Sequence, residues 1–251
     1  KVHIYDPVAG GAALVVIDAG DWAYGLAVFK DTATGEPRLA CGCKDGKVHV
    51  FDPVAGGEAL LVIDVGDKVG ALVVFEDPAT GAQRLACASG KKVLVFDPLA
   101  GGEALVVLNL NHSARALAVF TDPATGAPLL ACGSDDGKVR IIDPVAGGDA
   151  LLVLDVGSVV KALAVFKEPA TGAPRLACAS GENVHVFDAV SGGDALLVLH
   201  AGDDVKALVA FKDLATGALR LACGTEYPQC DVRVFDPVAG GEALVVLEGH
   251  T

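Results

Sequence analysis

The sequence predicts an all-β fold built from repeated modules, and three observations support this prediction. A short block that ends in Val-Phe-Asp, or a close relative of it, recurs at spacings of 46, 45, 46, 45 and 48 residues. Each period contains four runs rich in Val, Leu and Phe, which is typical of β-strands. Pro and Gly separate the runs and leave no room for long helices. A fixed period of this length indicates a stacked or circular array. The closing residues of the blocks are Asp6, Asp52, Asp97, Asp143, Asp188 and Asp236.

The second period shows how one module is organised. Its four runs, named a to d, are Val69–Phe75, Arg84–Ser89, Lys92–Asp97 and Glu103–Leu108. Most runs are apolar on both faces, so each sheet needs cover on both sides. A four-stranded antiparallel sheet that lies between two copies of itself meets this need. The pattern therefore predicts a β-propeller, in which ring closure leaves only short, protected strand edges.

The number of runs predicts how many blades the propeller has. There are five a and b runs but six c and d runs, because the chain opens on a c–d hairpin over residues 1–18. Five full units follow, over residues 19–64, 65–109, 110–155, 156–200 and 201–251. This favours a single domain over 1–251 with six blades, one of them incomplete. Five blades with a spare hairpin is the alternative, and a fragment of a larger ring is the third interpretation. An unpaired c–d hairpin would also leave a strand edge open to self-association.

The blocks that end in Phe-Asp resemble the strand of the WD40-repeat family that ends in Trp-Asp. The positions where that family prefers Trp hold Tyr5, Phe51, Phe96, Ile142, Phe187 and Phe235. The turns Asp45-Gly46 and Asp136-Gly137 match the family's Asp-Gly, and Gly249-His250 matches its Gly-His. The resemblance covers essentially the whole chain. Because Trp is missing from these positions, the family's His-Ser-Asp-Trp network cannot be complete in any blade. The resemblance implies a propeller that serves as a scaffold for other proteins.

The register of the b–c hairpins predicts a recurrent ion pair. Turning at Gly90-Lys91 places Arg84 opposite Asp97, and the same register applies in three other units. The predicted structural pairs are Arg38 with Asp52, Arg84 with Asp97, Arg175 with Asp188, and Arg220 with Asp236. In the remaining full unit Leu129 faces Asp143 and breaks the series. The alternative is that each Asp only caps the following turn through a backbone N–H.

Charge and hydropathy exclude several classes of partner. The chain has 32 acidic and 19 basic residues, a formal net charge of −13. A phosphate backbone or an anionic membrane surface requires an excess of Lys and Arg, so we expect no nucleic acid and no such membrane. No apolar run approaches the ~18 residues of a membrane span, so we expect no membrane insertion.

Five of the seven cysteines occupy one position of the repeat, within Leu-Ala-Cys: Cys41, Cys87, Cys132, Cys178 and Cys223. A residue that recurs once per module is expected to pack in the same way in each, here as a small buried hydrophobe. Cys43 and Cys230 are extra, and the total of seven is odd. Free thiols favour a reducing compartment, so we expect a cytoplasmic protein.

The variable loops are the predicted binding surface. The a–b and c–d loops hardly change between units, whereas the d–a loops and b–c turns differ. Varied loops on a rigid scaffold are a common way to build a binding site, and exposed aromatic residues make good interface anchors. Drift at exposed turns would produce the same variation, and Trp22 could equally pack against a neighbouring blade. The candidate protein-binding residues are Asp21, Trp22, Tyr24, Asp67, Lys68, His112, Arg115, Lys161, Asp203, Asp204, Lys206 and Tyr227.

No motif of the sequence indicates catalysis. We find no nucleophile elbow, phosphate loop or Cys-x-x-Cys, so we expect neither an enzyme nor a cofactor. His3, His49 and His185 share a position that elsewhere holds Arg or Leu, which is typical of a solvated strand face and argues against a metal site.

We therefore predict a non-catalytic protein-binding scaffold. A small-ligand or carbohydrate-binding propeller is an alternative, although it should repeat aromatic pockets in each blade. A hydrolase would need converging Asp and His. Because the chain has no Met and its repeats are close copies, an engineered or recently amplified repeat without an evolved partner is a further alternative.

Overall fold

The computed structural model describes residues 1–226 and 230–248, and every regular element within them is a β-strand. These strands form one two-stranded sheet and five four-stranded sheets. In each four-stranded sheet the strands follow one another in chain order, as expected for the runs a to d. The all-β class and the four-stranded blades with one incomplete blade are therefore as predicted. The described part of the chain contains no helix that could span a membrane.

The sheets are numbered in chain order after the two-stranded opening sheet. The opening sheet pairs β1 (Val2–Ile4) with β2 (Val15–Ile17). Sheet 1 contains β3 (Ala23–Lys30), β4 (Pro37–Cys43), β5 (Lys47–Phe51) and β6 (Leu61–Asp64). Sheet 2 contains β7 (Val69–Glu76), β8 (Gln83–Ser89), β9 (Lys92–Phe96) and β10 (Val106–Asn109). Sheet 3 contains β11 (Ala114–Thr121), β12 (Pro128–Ser134), β13 (Lys138–Ile142) and β14 (Leu152–Asp155). Sheet 4 contains β15 (Val160–Lys167), β16 (Pro174–Ser180), β17 (Asn183–Asp188) and β18 (Leu197–His200). Sheet 5 contains β19 (Val205–Lys212), β20 (Leu219–Thr225), β21 (Val232–Phe235) and β22 (Val245–Leu247).

The chain divides into two compact units. Unit 1 consists of Lys1–Ala114 with Pro144–Gly147 and holds the opening sheet, sheet 1 and sheet 2. Unit 2 consists of Arg115–Asp143 with the chain from Gly148 onward and holds sheets 3 to 5. Each four-stranded sheet lies within the bounds of one sequence repeat.

The d strands are shorter than expected. In sheet 2 the strand begins at Val106 rather than Glu103, and only Leu105 N bonds ahead of it, to Val95 O at 2.7 Å.

One repeated contact joins neighbouring sheets within each unit. We call the face of a sheet that packs on the next sheet along the chain its forward face, and the opposite face its back face. In unit 1 the forward face of sheet 1, which includes Ala27, Ala40 and Val50, packs against Leu85 and Cys87 on the back face of sheet 2. The same contact joins the opening sheet to sheet 1, and in unit 2 it joins sheet 3 to sheet 4 and sheet 4 to sheet 5. The receiving back face always presents Leu and Cys from strand b and Phe from strand c: Leu39, Cys41 and Phe51; Leu85, Cys87 and Phe96; Leu176, Cys178 and Phe187; Leu221, Cys223 and Phe235.

The repeated cysteines are core residues, as predicted. All five are buried free thiols. Burial raises the pKa of Cys41 and of Cys132 to about 12, and it raises the pKa of Cys87 and Cys178 further. A thiol that stays protonated in apolar surroundings behaves as a packing group rather than as a nucleophile.

The glycines after the c strands allow neighbouring sheets to approach closely. In unit 1, Gly101 adopts a φ of 68°, and a Cβ atom there would lie 3.1 Å from Leu61 of the preceding sheet. In unit 2, Gly240 has a φ of 72°, and a Cβ atom would lie 2.5 Å from Leu197. Other residues are strained at such positive φ values, so the turn requires glycine for both its backbone and its packing.

Sheet 5 differs from the other four-stranded sheets because its forward face is exposed. Phe211 is 40% exposed, whereas the equivalent Phe166 of sheet 4 is 5% exposed. Leu247 is 56% exposed, whereas the equivalent Leu199 is fully buried. The chemistry of this face is that of a core, since it carries the same residue types that sheets 1, 3 and 4 bury.

This difference predicts unequal costs for the same substitution in two sheets of unit 2. Phe166→Ala should destabilise the fold by about 3–5 kcal/mol, because it leaves a cavity in a packed core. Phe211→Ala should cost less than half as much, because less apolar contact is lost. Chemical denaturation of both variants in dilute solution measures the two costs. Equal shifts of the unfolding midpoint would contradict the exposure of this face.

Candidate protein-binding rim

The rim consists of the d–a loops and b–c turns, and backbone hydrogen bonds hold it at the base. In unit 1, Gly46 O of a b–c turn accepts hydrogen bonds from Val65 N at 2.9 Å and Gly66 N at 3.2 Å of the following loop. In unit 2, Gly137 O accepts from Val156 N at 2.8 Å and from Gly157 N at 3.3 Å. Because these bonds involve only the backbone, the side chains of the loops can vary without loss of the scaffold.

The rim of unit 1 carries two exposed aromatic residues with a lysine over each. Trp22 is 70% exposed and Tyr24 is 43% exposed. Lys44 Nζ lies 5.8 Å from the centroid of the Trp22 ring, and Lys44 N donates to Trp22 O at 2.9 Å. Lys68 Nζ lies 3.8 Å from the centroid of the Tyr24 ring. The structure therefore places Trp22 at the surface rather than packed against a neighbouring sheet.

Two of the predicted carboxylates fix the loops that carry these side chains. Asp21 Oδ1 accepts a hydrogen bond from Trp22 N at 2.7 Å, and Asp67 Oδ1 accepts one from Lys68 N at 2.7 Å. An open groove of about 510 Å³ lies beside the indole ring. Its lining residues are Lys1, Asp18, Gly20, Asp21, Trp22 and Ala23. His112 is exposed in a later d–a loop of the same unit.

The predicted residues of unit 2 are mostly engaged in ion pairs. Lys161 and Lys206 both contact Asp204, the latter at 3.2 Å, and Lys206 Nζ also lies 2.6 Å from Glu226 Oε2. Burial alone would raise the pKa of Asp204, but hydrogen bonds with the two lysines lower it on balance. Hydrogen bonding to Glu226 raises the pKa of Lys206. Asp203 Oδ1 accepts a hydrogen bond from Asp204 N at 2.7 Å. These four predicted residues form a network with one another.

Arg115 makes a two-pronged ion pair on the rim of unit 2. Its Nε lies 2.6 Å from Asp135 Oδ1, and its Nη2 lies 2.9 Å from Asp135 Oδ2. This ion pair joins the start of β11 to the b–c turn of the same sheet, sheet 3. Tyr227, the last predicted rim residue, lies outside the residues that the structure describes, as does the Gly249-His250 motif.

At the end of the sheets opposite the rim, three of the four predicted Arg–Asp pairs are in contact. Arg84 Nη1 lies 3.5 Å from Asp97 Oδ2 and Arg220 Nη1 lies 3.4 Å from Asp236 Oδ2. Arg175 contacts Asp188, and their Cα atoms are register partners. The capping alternative holds as well. Asp97 Oδ1 accepts hydrogen bonds from the backbone N–H groups of residues 99 and 100, both at 2.9 Å.

The predicted pair of Arg38 with Asp52 is wrong. Within the described residues Arg38 Nη2 contacts Asp31 Oδ2 at 3.1 Å, and Asp52 Oδ1 accepts the N–H groups of Val54 and Ala55 at 2.8 Å. The guanidinium still lowers the pKa of Asp52, after the larger effect of those two backbone hydrogen bonds. The register was correct, but a nearer carboxylate takes the ion pair.

That nearer carboxylate is a recurrent feature that the sequence analysis missed. Arg84 lies 3.3 Å from Asp77, and Arg175 contacts Glu168. These acidic residues directly follow the a strands and precede the arginine by seven positions, a spacing that was readable in the sequence. The guanidinium therefore lies between two carboxylates in sheets 2 and 4, where a single partner had been expected.

The structure also brings together three residues of sheet 1 that can ligate a metal. Cys43, Asp45 and His49 each offer one ligand atom, and these atoms all lie within 4.8 Å of one another. The position of His49 in the repeat had argued against a metal site. The signal that could have found this cluster is the Cys-x-Asp-x-x-x-His spacing around one b–c turn.

Comparison with known proteins shows the fold. No family model and no curated protein matches this sequence. The chain is similar to BBS1N, solved in complex with ARL6DN and soaked with lead, with a TM-score of 0.72 and 19% identity. That match covers 92% of this chain and 70% of BBS1N. The computationally designed Ika8 protein matches with a TM-score of 0.65 and 23% identity, over 96% of this chain and 66% of Ika8.

A third similar structure is Sqt1 of Saccharomyces cerevisiae, with a TM-score of 0.63 and 18% identity over 85% of this chain and 58% of Sqt1. This chain thus spans less than two thirds of the length of Ika8 and of Sqt1. Identities this low establish the fold alone. The fold is that of a β-propeller, as the sequence predicts.

The double-carboxylate contact predicts a pH-dependent loss of stability in Arg175→Leu, which introduces the residue found at Leu129. Hydrogen bonds from Thr171 and Arg175 lower the pKa of Glu168. Burial alone would raise the pKa of Asp188, but backbone hydrogen bonds and the bond from Arg175 lower it on balance. Lowered carboxyl pKa values stabilise the fold above the unfolded values of about 4, and this stabilisation is lost as the pH falls through the folded values.

We therefore expect Arg175→Leu to be less stable than the parent at pH 7, with a difference that shrinks as the pH falls below about 4. Denaturant unfolding at several pH values measures this difference. Arg38→Leu is the matched control and should show a smaller difference, because among the described residues Arg38 forms an ion pair with one carboxylate, that of Asp31. A difference that does not change with pH would contradict the electrostatic explanation.

Proposed function

We propose that this chain is a non-catalytic protein-binding scaffold that contacts its partner through the rim. The observation that carries this proposal is the exposed pair Trp22 and Tyr24 with a lysine over each ring. Trp and Tyr are the residues most enriched at the energetic centres of protein interfaces. Tyr24 lies on β3, and the backbone of Trp22, directly before that strand, is hydrogen-bonded to Asp21 and Lys44, so little conformational entropy is lost when a partner binds.

The ion pairs of unit 2 suit a supporting role in the proposed interface. Rim charges that are already paired contribute little affinity, but they shape the electrostatic field that a partner meets. The net charge of −13 favours a partner with a basic surface. Among the similar structures, BBS1N was solved in complex with ARL6DN, which agrees with the use of this fold for binding proteins.

We further propose that the modules are degenerate WD40 repeats and that the protein works in the cytoplasm. Phe51, Phe96, Phe187 and Phe235 occupy the positions where that family prefers Trp, and each is at most 2% exposed. They can take over the packing of the Trp without its hydrogen bond. The free thiols support a reducing compartment.

Self-association is a second candidate function, and the exposed forward face of sheet 5 favours it. Phe211, Val209 and Leu247 are exposed at positions that are buried in the other sheets of unit 2. A contiguous apolar patch of this kind marks an interaction site. We propose that a second copy of this chain covers this face, because it could form the same sheet-to-sheet contact that sheets 3 and 4 already form with their neighbours. Another copy can offer an open back face on its opening sheet, where Tyr5 is 53% exposed.

The rim proposal predicts that Trp22→Ser abolishes most of the affinity for selected ligands. Peptides selected from a display library on the whole chain would be measured by calorimetry. We expect the variant to lose about 30-fold in affinity, as for other central aromatic residues of interfaces. Val54→Ser is the matched control, since Val54 is 72% exposed at the opposite end of sheet 1. Ligands that bind both variants equally would contradict the assignment of the rim.

The self-association proposal predicts that the sedimentation coefficient rises with protein concentration and that Phe211→Lys removes this rise. A buried lysine without a partner would oppose docking of a second apolar face. Leu214→Lys is the control, because Leu214 is fully exposed in the a–b loop of the same sheet and lies off the face. A monomer at every concentration would contradict the proposal.

A further inference from the structure

The b–c turn of sheet 3 shows what one set of three positions does in this fold. Ser134, Asp136 and Arg140 occupy the end of strand b, the turn and the middle of strand c. Arg140 Nη1 lies 3.1 Å from Ser134 Oγ, and Arg140 Nη2 lies 2.6 Å from Asp136 Oδ2. The hydroxyl and the carboxylate thus hold a positive charge supplied by the third residue.

Sheet 5 also pairs an arginine of strand c with a carboxylate, but this carboxylate is Asp231, which directly precedes strand c, rather than a residue at the turn position of Asp136. Thr225 Oγ1 lies 2.7 Å from Asp231 Oδ1, and Arg233 Nε lies 2.9 Å from Asp231 Oδ2. Asp231 is buried. In both sheets an arginine at the same position of strand c therefore pairs with a carboxylate of the b–c connection.

Sheet 1 has the carboxylate but lacks the arginine. The equivalent positions hold Cys43, Asp45 and His49, with the ligand atoms all within 4.8 Å of one another. His49 Nε2 is buried and has no hydrogen-bond partner among the described residues. Asp45 Oδ2 is the nearest carboxylate oxygen at 3.6 Å, which is too long for a hydrogen bond. A buried polar atom without a partner requires an explanation, and an ion is one of the few available.

We propose that Cys43, Asp45 and His49 bind a divalent zinc ion. Thiolate, imidazole and carboxylate are the three ligand types that zinc takes in proteins, and the two anionic ligands would neutralise its charge. The ion would occupy the place of the guanidinium in sheets 3 and 5. The Cys43 proton passes to solvent when the metal binds, so the site exchanges one proton for one ion.

The geometry of the three residues suits a tetrahedral ion with one open position. Two ligand atoms at about 2 Å from a tetrahedral zinc lie about 3.3 Å apart, close to the separation of His49 Nε2 and Asp45 Oδ2. Cys43 is fully buried, whereas the side chains of His49 and Asp45 are 17% and 32% exposed. The metal would therefore enter from the rim past Asp45 and keep a water molecule as its fourth ligand.

The electrostatics of the site favour a cation. The carboxylates of Asp45 and Asp21 place negative charge near the buried Cys43 thiol. The same negative charges that oppose the thiolate attract a divalent ion, which then stabilises it. Other sheets lack this donor set, since Leu94 replaces the histidine in sheet 2 and Ser180 replaces the cysteine in sheet 4.

The test is zinc titration of the whole chain, purified without a histidine tag and stripped with a chelator. Calorimetry should show one zinc ion per chain. Cys43→Ser and His49→Leu, which introduce residues found at the same positions of other sheets, should each weaken zinc binding by more than about 100-fold, since even outer partners of a metal site contribute 10- to 100-fold. Cobalt(II) should give intense visible absorption and a sulfur-to-cobalt band that Cys43→Ser abolishes.

Two variants serve as controls for adventitious binding. His185→Leu removes the histidine at the same position of sheet 4, and Cys230→Ser removes the only cysteine among the described residues that is not fully buried. Both should bind zinc as the parent does. The proposal is overturned by the absence of zinc binding, or by binding that survives Cys43→Ser or is lost in either control. It does not rest on the proposed protein binding, and peptide affinity of the zinc-free chain tests that function separately.

Discussion

Within each unit the sheets depend on a single contact, the packing of a forward face of Ala, Val and Phe onto a back face of Leu, Cys and Phe. Neither face can be exposed without cost, because each carries core-type side chains across all four strands. The contact also explains the composition of the repeat. Strand b alternates Leu-Ala-Cys because Ala faces one neighbour while Leu and Cys face the other. Polar residues are then confined to the strand ends and loops.

Because the strands are buried on both faces, the sequence predicted the fold better than the site. The period, the four apolar runs and the Pro-Gly turns determine strands and hairpins locally. Register followed from turn length, and the pairs of Arg84, Arg175 and Arg220 were correct for that reason. The pair of Arg38 was wrong because the b–c register gives only the partner across that hairpin, whereas Arg38 contacts Asp31 of the a–b loop that leads into its own strand.

Properties that arise from tertiary contacts were not readable. Phe211 has nearly the same local sequence as Phe166, and the presence or absence of a covering sheet makes one exposed and the other buried. Trp22 was balanced between two interpretations, because indole exposure depends on how the loop leaves the sheet. The convergence of Cys43, Asp45 and His49 required the hairpin register together with the comparison between sheets, which a reading of single positions does not supply.

The rim combines invariant backbone bonds with side chains that differ between modules. A charge cluster occupies the b–c connections of sheets 3 and 5, whereas that of sheet 1 presents sulfur, oxygen and nitrogen donors. In unit 1 this turn also carries Lys44, whose backbone N–H bonds to Trp22 O. Lys44, which lies between Cys43 and Asp45 in the sequence, therefore connects the donor cluster to the backbone of Trp22.

The uniformity of the back faces has a consequence for how the chain folds. Since the described sheets present nearly the same Leu, Cys and Phe, a forward face cannot distinguish its proper neighbour from a more distant module by shape. Selection falls to connectivity: only four residues separate β6 from β7 and β18 from β19, so adjacent modules meet at the lowest loop-closure cost. Pairing out of order, or between two nascent chains, is the characteristic misfolding route of such arrays. The order of the modules is therefore set by how quickly neighbouring sheets meet, and not by differences in shape between their faces.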